Sequence, residues 1–414
     1  MKKITGIFTF ICLFLAFGCQ KETNQKDANQ LEIPSAKKPG PSPSPSIVQW
    51  QLCLGTASAD KGADVIVGTD GAFFISGTIN DRTAGYVMKF TSNNEPAWSQ
   101  PAIIDGNGFD ELNAMVLTAD GGCLVTGFTN STDLPGYGGN SDVLLAKIAS
   151  NGTVEWTTAL GTAATERCNA IVNTSDNGFA LTGYSDDKFL VIKLDATGQV
   201  LWEQRYSVPG YKANSGYSIL ESDGNYVIAG RSLTLANTSA RPFFAKLQTS
   251  DGTLQQVKVF ENFTDGLAFS LTRNISNSGF VLAGRIGCEA LVFEIDDNGN
   301  ETWSKTYGGS GCGDMFHSII TMADHYVFAG TTNSKNGDIT GSKGGNDVWM
   351  FRAGADGNKI SSHNLGGNKN DEGHAIATIA MNHFIVVGTT SSTSGDVSGN
   401  KGGSDIWGVK VQLQ

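Results

Sequence analysis

Seven polar residues recur ahead of seven apolar segments in this chain: Asp60, Asp110, Glu166, Asn214, Asp265, Asp314 and Asp371. Three residues after four of them stand Asn113, Asn169, His317 and His374. Repeated carboxylates are what a hard cation binds, through oxygen. Asp110, Glu166, Asp314 and Asp371 are therefore candidate metal ligands, and calcium is the cofactor they would take. The same residues have a plainer use, because an Asp that follows "GGSG" (308–311) or "GGNKN" (366–370) accepts hydrogen bonds from turn amides and fixes a loop. His317 and His374 could hold a metal or a ligand between them. Two ligands without a third in register fall short of a metal site, and a polar lining filled by water is the simpler reading.

A second set of acids lies in a duplicated stretch. "NGDITGSKGGNDVWMF" (336–351) nearly recurs as "SGDVSGNKGGSDIWGV" (394–409), which puts Asp338, Asp347, Asp396 and Asp405 at matching steps. With the two histidines these four are candidate ligand-binding residues. A catalytic motif normally occurs once per site, whereas a building unit recurs with the unit, so the duplication points first to architecture. No Gly-Lys-Ser/Thr phosphate loop, HExxH, GxSxG or CxxC pair is present, and the few arginines share no repeat register. Nothing resembles an activated nucleophile with its base.

The elements that position these residues are legible from period. An apolar run ending in glycine returns at Gly77, Gly127, Gly183, Gly230, Gly284, Gly330 and Gly388. Each unit carries four short alternating segments punctuated by Gly, Asn and Asp, as antiparallel strands do. Four strands repeated seven times predict an all-β, seven-bladed β-propeller. The last unit stops after its third strand, and "IVQWQLCLGT" (47–56) matches the fourth-strand pattern of "ETWSKTYGGS" (301–310). The N-terminal strand is thus expected to complete the last blade, making residues 48–414 one monomeric domain with no open seam. Trp50, Trp98, Trp156, Trp202 and Trp303 fall in fourth strands, Trp349 and Trp407 in third strands, a register that favours packing between blades over sugar stacking. First-strand turns and the connections between second and third strands emerge on one face, where length varies and binding specificity is expected.

Before the repeats, "MKKITGIFTFICLFLAFGC" has the form of a secretory signal. Its ending resembles the lipobox of bacterial lipoproteins, which implies removal of residues 1–18 and acylation of Cys19. The "QKE" that follows resembles signals that send Gram-negative lipoproteins to the outer face of the outer membrane. Residues 19–47 close in a Pro/Ser run and read as a disordered tether. The formal charge of −11 becomes about −13 without Lys2 and Lys3, which argues against nucleic acid as a partner and leaves lipid as the route to the membrane. Cys53, Cys123 and Cys168 fall in strands. Cys288 and Cys312 fall in connections on one face and form a candidate disulfide for an oxidising compartment.

The combination "GGSGCGD", "HYVFAGTTNSKNGD" and "GGNDVWMFRAGADGNKI" resembles the Gly/Asp-rich propeller repeats of Gram-negative surface lipoproteins, labelled bulb-lectin-like or β-propeller repeat. A weaker resemblance to quinoprotein-type propellers rests on "KLDATGQVLW" (193–202) and "EIDDNGNETW" (294–303). It concerns turn chemistry, so quinone binding is not carried over. The function these readings imply is non-catalytic binding of a protein or glycan on the loop-rich face of an outer-membrane lipoprotein. An envelope polysaccharide lyase or glycosidase working at the channel mouth is the alternative.

Overall fold

The computed structural model describes residues 47–236 and 238–413. The signal, Cys19 and nearly all of the tether lie outside the described residues. The described chain is built of seven four-stranded antiparallel sheets, six of them in simple sequence order. The seventh joins the two ends of the described chain: the strand Val48–Leu54 pairs antiparallel with Asp405–Gln412, matching Cys53 to Trp407 and Leu54 to Ile406. The result is a seven-bladed β-propeller closed by its first strand.

Central strands are buried on both sides, which explains near-continuous apolar runs such as Phe73–Ile79, Cys123–Thr129 and His325–Thr332. Outer strands such as Val154–Leu160 and Glu301–Tyr307 alternate instead, with one face in water. The innermost strands are Lys61–Val67, Asp110–Leu117, Glu166–Asn173, Tyr211–Ser222, Gly266–Arg273, Met315–Thr321 and Asp371–Ala380. Each breaks register near its start, beside the glycine that ends the apolar run of the next strand. That glycine is needed there. A Cβ on Gly127 would overlap the Glu111 carbonyl, and one on Gly388 the Glu372 carbonyl.

Tryptophan register ties blade to blade. Trp156, Trp202 and Trp303 lie on outer strands, each over a glycine in the outer hairpin of the following blade. A Cβ on Gly198 or Gly357 would come 2.7 Å from the indole, and one on Gly252 2.8 Å. These glycines also hold φ of +86°, +74° and +76°, which L-residues rarely adopt. Trp98 departs from the sequence expectation. The outer strand of the first blade is only Ala102–Asp105, so Trp98 sits in the preceding loop, yet its ring still covers Gly152 and its Nε1 donates to the Ser150 carbonyl at 2.9 Å. Trp349 and Trp407 are buried, donating to Ser362 Oγ at 2.9 Å and Gln51 Oε1 at 3.0 Å.

Candidate functional site at the channel mouth

Each register break leaves one residue of the innermost strand unpaired: Ala63, Asn113, Asn169, Tyr217, Phe269, His317 and His374. A β-bulge re-aims such a residue, and here the seven meet as a ring. Asn113 Nδ2 donates to the Cys168 carbonyl of the next blade at 2.8 Å, and Asn169 Nδ2 to that of Gly216 at 2.7 Å. Ring centroids then run from Tyr217 to Phe269 at 5.4 Å, to His317 at 4.9 Å and to His374 at 5.6 Å. His374 Nδ1 lies 2.6 Å from the Gly62 carbonyl of the first blade. The circuit finishes through Asp64, whose Oδ2 accepts from the Met115 amide at 2.9 Å and whose carboxyl burial pushes up to about 6.

Above this ring lie two cavities. The wider, about 800 Å³, is lined by His317, His374, Glu372, Lys61, Arg82 and Arg285 among others. The second, about 450 Å³, is lined by Arg167, Arg231, Tyr184, Tyr217, Asn113 and Asn169 among others. Burial, and then the neighbouring His374, hold His317 far below the usual histidine range, at about 3, so it is neutral at physiological pH. A hydrogen bond from His374, against the opposing effect of burial, brings Glu372 down to about 2. Its Oε2 is 3.5 Å from His374 Nε2 and its Oε1 accepts from Asn346 Nδ2 at 3.3 Å. The neutral His317 and the Glu372 carboxylate line the same cavity, which is polar recognition chemistry. Of the serine and cysteine in the cavity lining, Ser404 Oγ donates to the Asp60 carbonyl at 2.9 Å and Cys312 is held in a disulfide.

The candidate metal ligands do not converge. Asp110, Glu166, Asp314 and Asp371 each sit in a separate blade, fully buried. Asp110 accepts from Gly106 N at 2.7 Å, Thr129 Oγ1 at 2.6 Å and Ser131 Oγ at 2.9 Å. Asp314 takes Gly309 N at 3.0 Å, Thr332 Oγ1 at 2.5 Å and Ser334 Oγ at 2.7 Å. Asp371 repeats the knot with Gly367, Thr390 and Ser392, and Glu166 varies it with Thr162, Ser185 and Arg205. Among the described residues no three His, Cys, Asp or Glu side chains group as a metal set. The Thr and Ser partners were missed in sequence, although "TNS" and "TSS" follow the repeat glycine at fixed steps. Asp265 also differs from expectation: it is exposed, at φ +59°, and Gly266 holds the register slot one residue later.

The acids of the duplicated loops are spent on holding the loops, Asp338 and Asp396 half-buried and paired with Lys359 and Lys343. Asp338 N–H donates to the Gly308 carbonyl at 2.9 Å while its Oδ2 accepts from Gly308 N at 3.2 Å. Asp396 does the same with Gly366, at 2.9 and 3.1 Å. Ile339 and Val397, the next residues, are 2% and 3% exposed, pinning each loop. Asp347 and Asp405 begin third strands, are fully buried, and receive the Lys343 and Lys401 amides at 2.8 and 2.9 Å. None of the four lines either cavity, whereas His317 and His374 do. On the same face a disulfide joins Cys288 to Cys312, and Cys53, Cys123 and Cys168 are free and buried.

The arginines correct the sequence reading. Arg231 and Arg285 occupy one slot, each directly after the repeat glycine and opposite Ser215 and Leu267 of the innermost strands. Two members in seven units were too few to register as a repeat.

No protein-family model and no curated protein sequence matches this chain. Solved structures do. Hydrazine synthase of Kuenenia stuttgartiensis superposes with a TM-score of 0.54 at 8% identity, over 80% of this chain and 93% of that one. Sqt1 from Chaetomium thermophilum gives 0.49 at 12% identity, over 92% and 100%. Identities this low speak for fold alone, and the fold that the first alignment and the seven sheets share is the β-propeller.

Proposed function

We propose that this chain is a non-catalytic binding protein of the cell envelope, held to the outer membrane through lipid on Cys19, which takes a glycan or partner protein on its loop-rich face. The observation that carries this reading is the pair of polar cavities set above a ring of cross-linked channel residues. Cavities of roughly 300–1,000 Å³ with a few fixed polar groups are typical of ligand sites. The frame is rigid because every blade contributes to the ring, so recognition needs little reorganisation. The lipid and the compartment rest on the resemblance of residues 1–21 to lipoprotein signals.

A rival reading, a polysaccharide lyase or glycosidase, draws on the neutral His317 and on Glu372 beside His374 in the wider cavity. The test is capture of ligands by the mature protein from outer membranes, run beside a glycan array, with His317→Ala and His374→Ala as variants. Retention of a glycan or protein without turnover supports the binding reading. Depolymerisation of a retained polysaccharide that is abolished in either variant would replace it with the enzyme.

A further inference from the structure

The smaller cavity brings two arginines together in an acidic chain. The formal net charge is −11, yet Arg167 and Arg231 line this space together. Among the described residues neither guanidinium has a carboxylate within ion-pair distance. The two acids of the same lining have other partners: Glu111 pairs with Lys61 at 2.9 Å and Arg82 at 3.6 Å, and Asp186 accepts from the Thr165 amide at 3.0 Å.

Four buried polar atoms of the lining lack a hydrogen-bond partner: Arg167 Nε, Arg231 Nε, Asn214 Oδ1 and Glu111 Oε2, the last of which is charge-balanced by Arg82 at 3.6 Å. Asn214 is 1% exposed, and its Nδ2 is already committed to the Asp187 carbonyl at 2.8 Å. Buried groups are ordinarily satisfied, so a concentration of orphans around one cavity marks where a ligand supplies the missing acceptor and donor. Arg167 lies over Phe128, its Cζ 3.9 Å from the ring centroid, a cation–π contact that leaves guanidinium N–H donors for paired hydrogen bonds.

We propose that this cavity binds the carboxylate of an acidic sugar ring, an inference that rests on the glycan-binding reading above. The arginines take the carboxylate through charge-assisted hydrogen bonds. Tyr184 and Tyr217 offer aromatic surface to the C–H faces of the ring. Asn214 Oδ1 accepts from a hydroxyl, as do the side-chain oxygens of Asn113 and Asn169, whose amide nitrogens are spent on the next blade. A hydroxylated ring brings the donors these oxygens require; a peptide carboxylate brings few.

The experiment is an array of uronate-bearing, sialylated, sulfated and neutral oligosaccharides probed with the mature chain, followed by calorimetric titration of the retained compound and of its analogue with –CH2OH in place of –COO⁻. Carboxylated sugars should be retained and the neutral analogue bound at least about tenfold more weakly. Arg167→Gln and Arg231→Gln should each lose a similar factor, Arg231→Lys less, and exposed Glu95→Ala, which lines neither cavity, should keep full affinity, with thermal melting confirming that each variant is folded. A neutral or sulfated glycan bound indifferently to the arginines, or a protein partner alone, would overturn this proposal while leaving the binding reading in place. Retention of nothing on the array would overturn it as well, and turnover of a polysaccharide lost in His317→Ala would overturn both.

Discussion

Substituting Asp371 by alanine tests whether the buried acids are structural knots. The carboxylate accepts from Gly367 N at 2.7 Å and Ser392 Oγ at 2.8 Å, and from Thr390 Oγ1. Hydroxyls can rotate to new partners; the buried Gly367 amide cannot. Leaving that amide unpaired costs ~1–3 kcal/mol, and the two hydroxyl bonds add ~0.5–1.5 kcal/mol each. Burial, which raises the Asp371 carboxyl above its ordinary value despite these bonds, returns part of the loss when the charge is removed. The net expectation is a destabilisation of ~2–3 kcal/mol at neutral pH. Urea unfolding should show it as a lower midpoint at unchanged slope, with exposed Glu95→Ala as the control. Combining Asp371→Ala with Thr390→Ala should be less than additive, because one bond is counted in both. A midpoint indistinguishable from that of Glu95→Ala, or strict additivity, would refute the knot.

Two further outcomes follow from the packing. Gly357→Ala forces an L-residue to φ +74° with its Cβ 2.7 Å from Trp303, at a cost of ~1 kcal/mol for the backbone and ~1–3 kcal/mol for overpacking; thermal melting should drop, and Trp303→Ala should recover part of it, whereas unchanged melting would contradict the Trp-on-glycine register. Burial pushes the Asp405 carboxyl up to about 7, above the ~3.9 of an unfolded chain, so its contribution is fully present below pH ~4 and is lost as pH rises through about 7. The stability of Asp405→Asn relative to the parent should therefore rise between pH 5 and pH 8, and a flat or opposite trend in urea midpoints would exclude a protonated Asp405.

The strands and the closure were legible because glycine and apolar runs repeat along the whole chain, and a period survives the divergence of individual units. The knots were half legible. Asp314 and Asp371 stood out after their glycine runs, but the hydroxyl partners lie some twenty residues on, in a different connection. The channel ring was legible where bulge residues are polar, at Asn113, Asn169, His317 and His374. Ala63, Tyr217 and Phe269 hid within apolar patterns, since a bulge is a backbone event that leaves no signature in residue type. The acids of the duplicated loops were ambiguous in sequence for a physical reason: Asp serves a turn and a ligand equally well, and the bonds of Asp338 and Asp396 to the Gly308 and Gly366 backbone appear only in three dimensions. Arg167 went unnoticed because its significance is the missing partner, which is a property of three dimensions.

The seam between Val48–Leu54 and Asp405–Gln412 sets an order on biogenesis. The first strand of the ring to leave the ribosome has no neighbour until the last has been made, so until then it is an unpaired edge waiting for more than three hundred residues of chain. Joining ends so distant carries a loop entropy that grows only slowly with length, yet contacts this remote form late. Ring closure is accordingly the last and most interruptible event in maturation, and a chain cut short near its C-terminus would leave both Val48–Leu54 and the final blade without their partners.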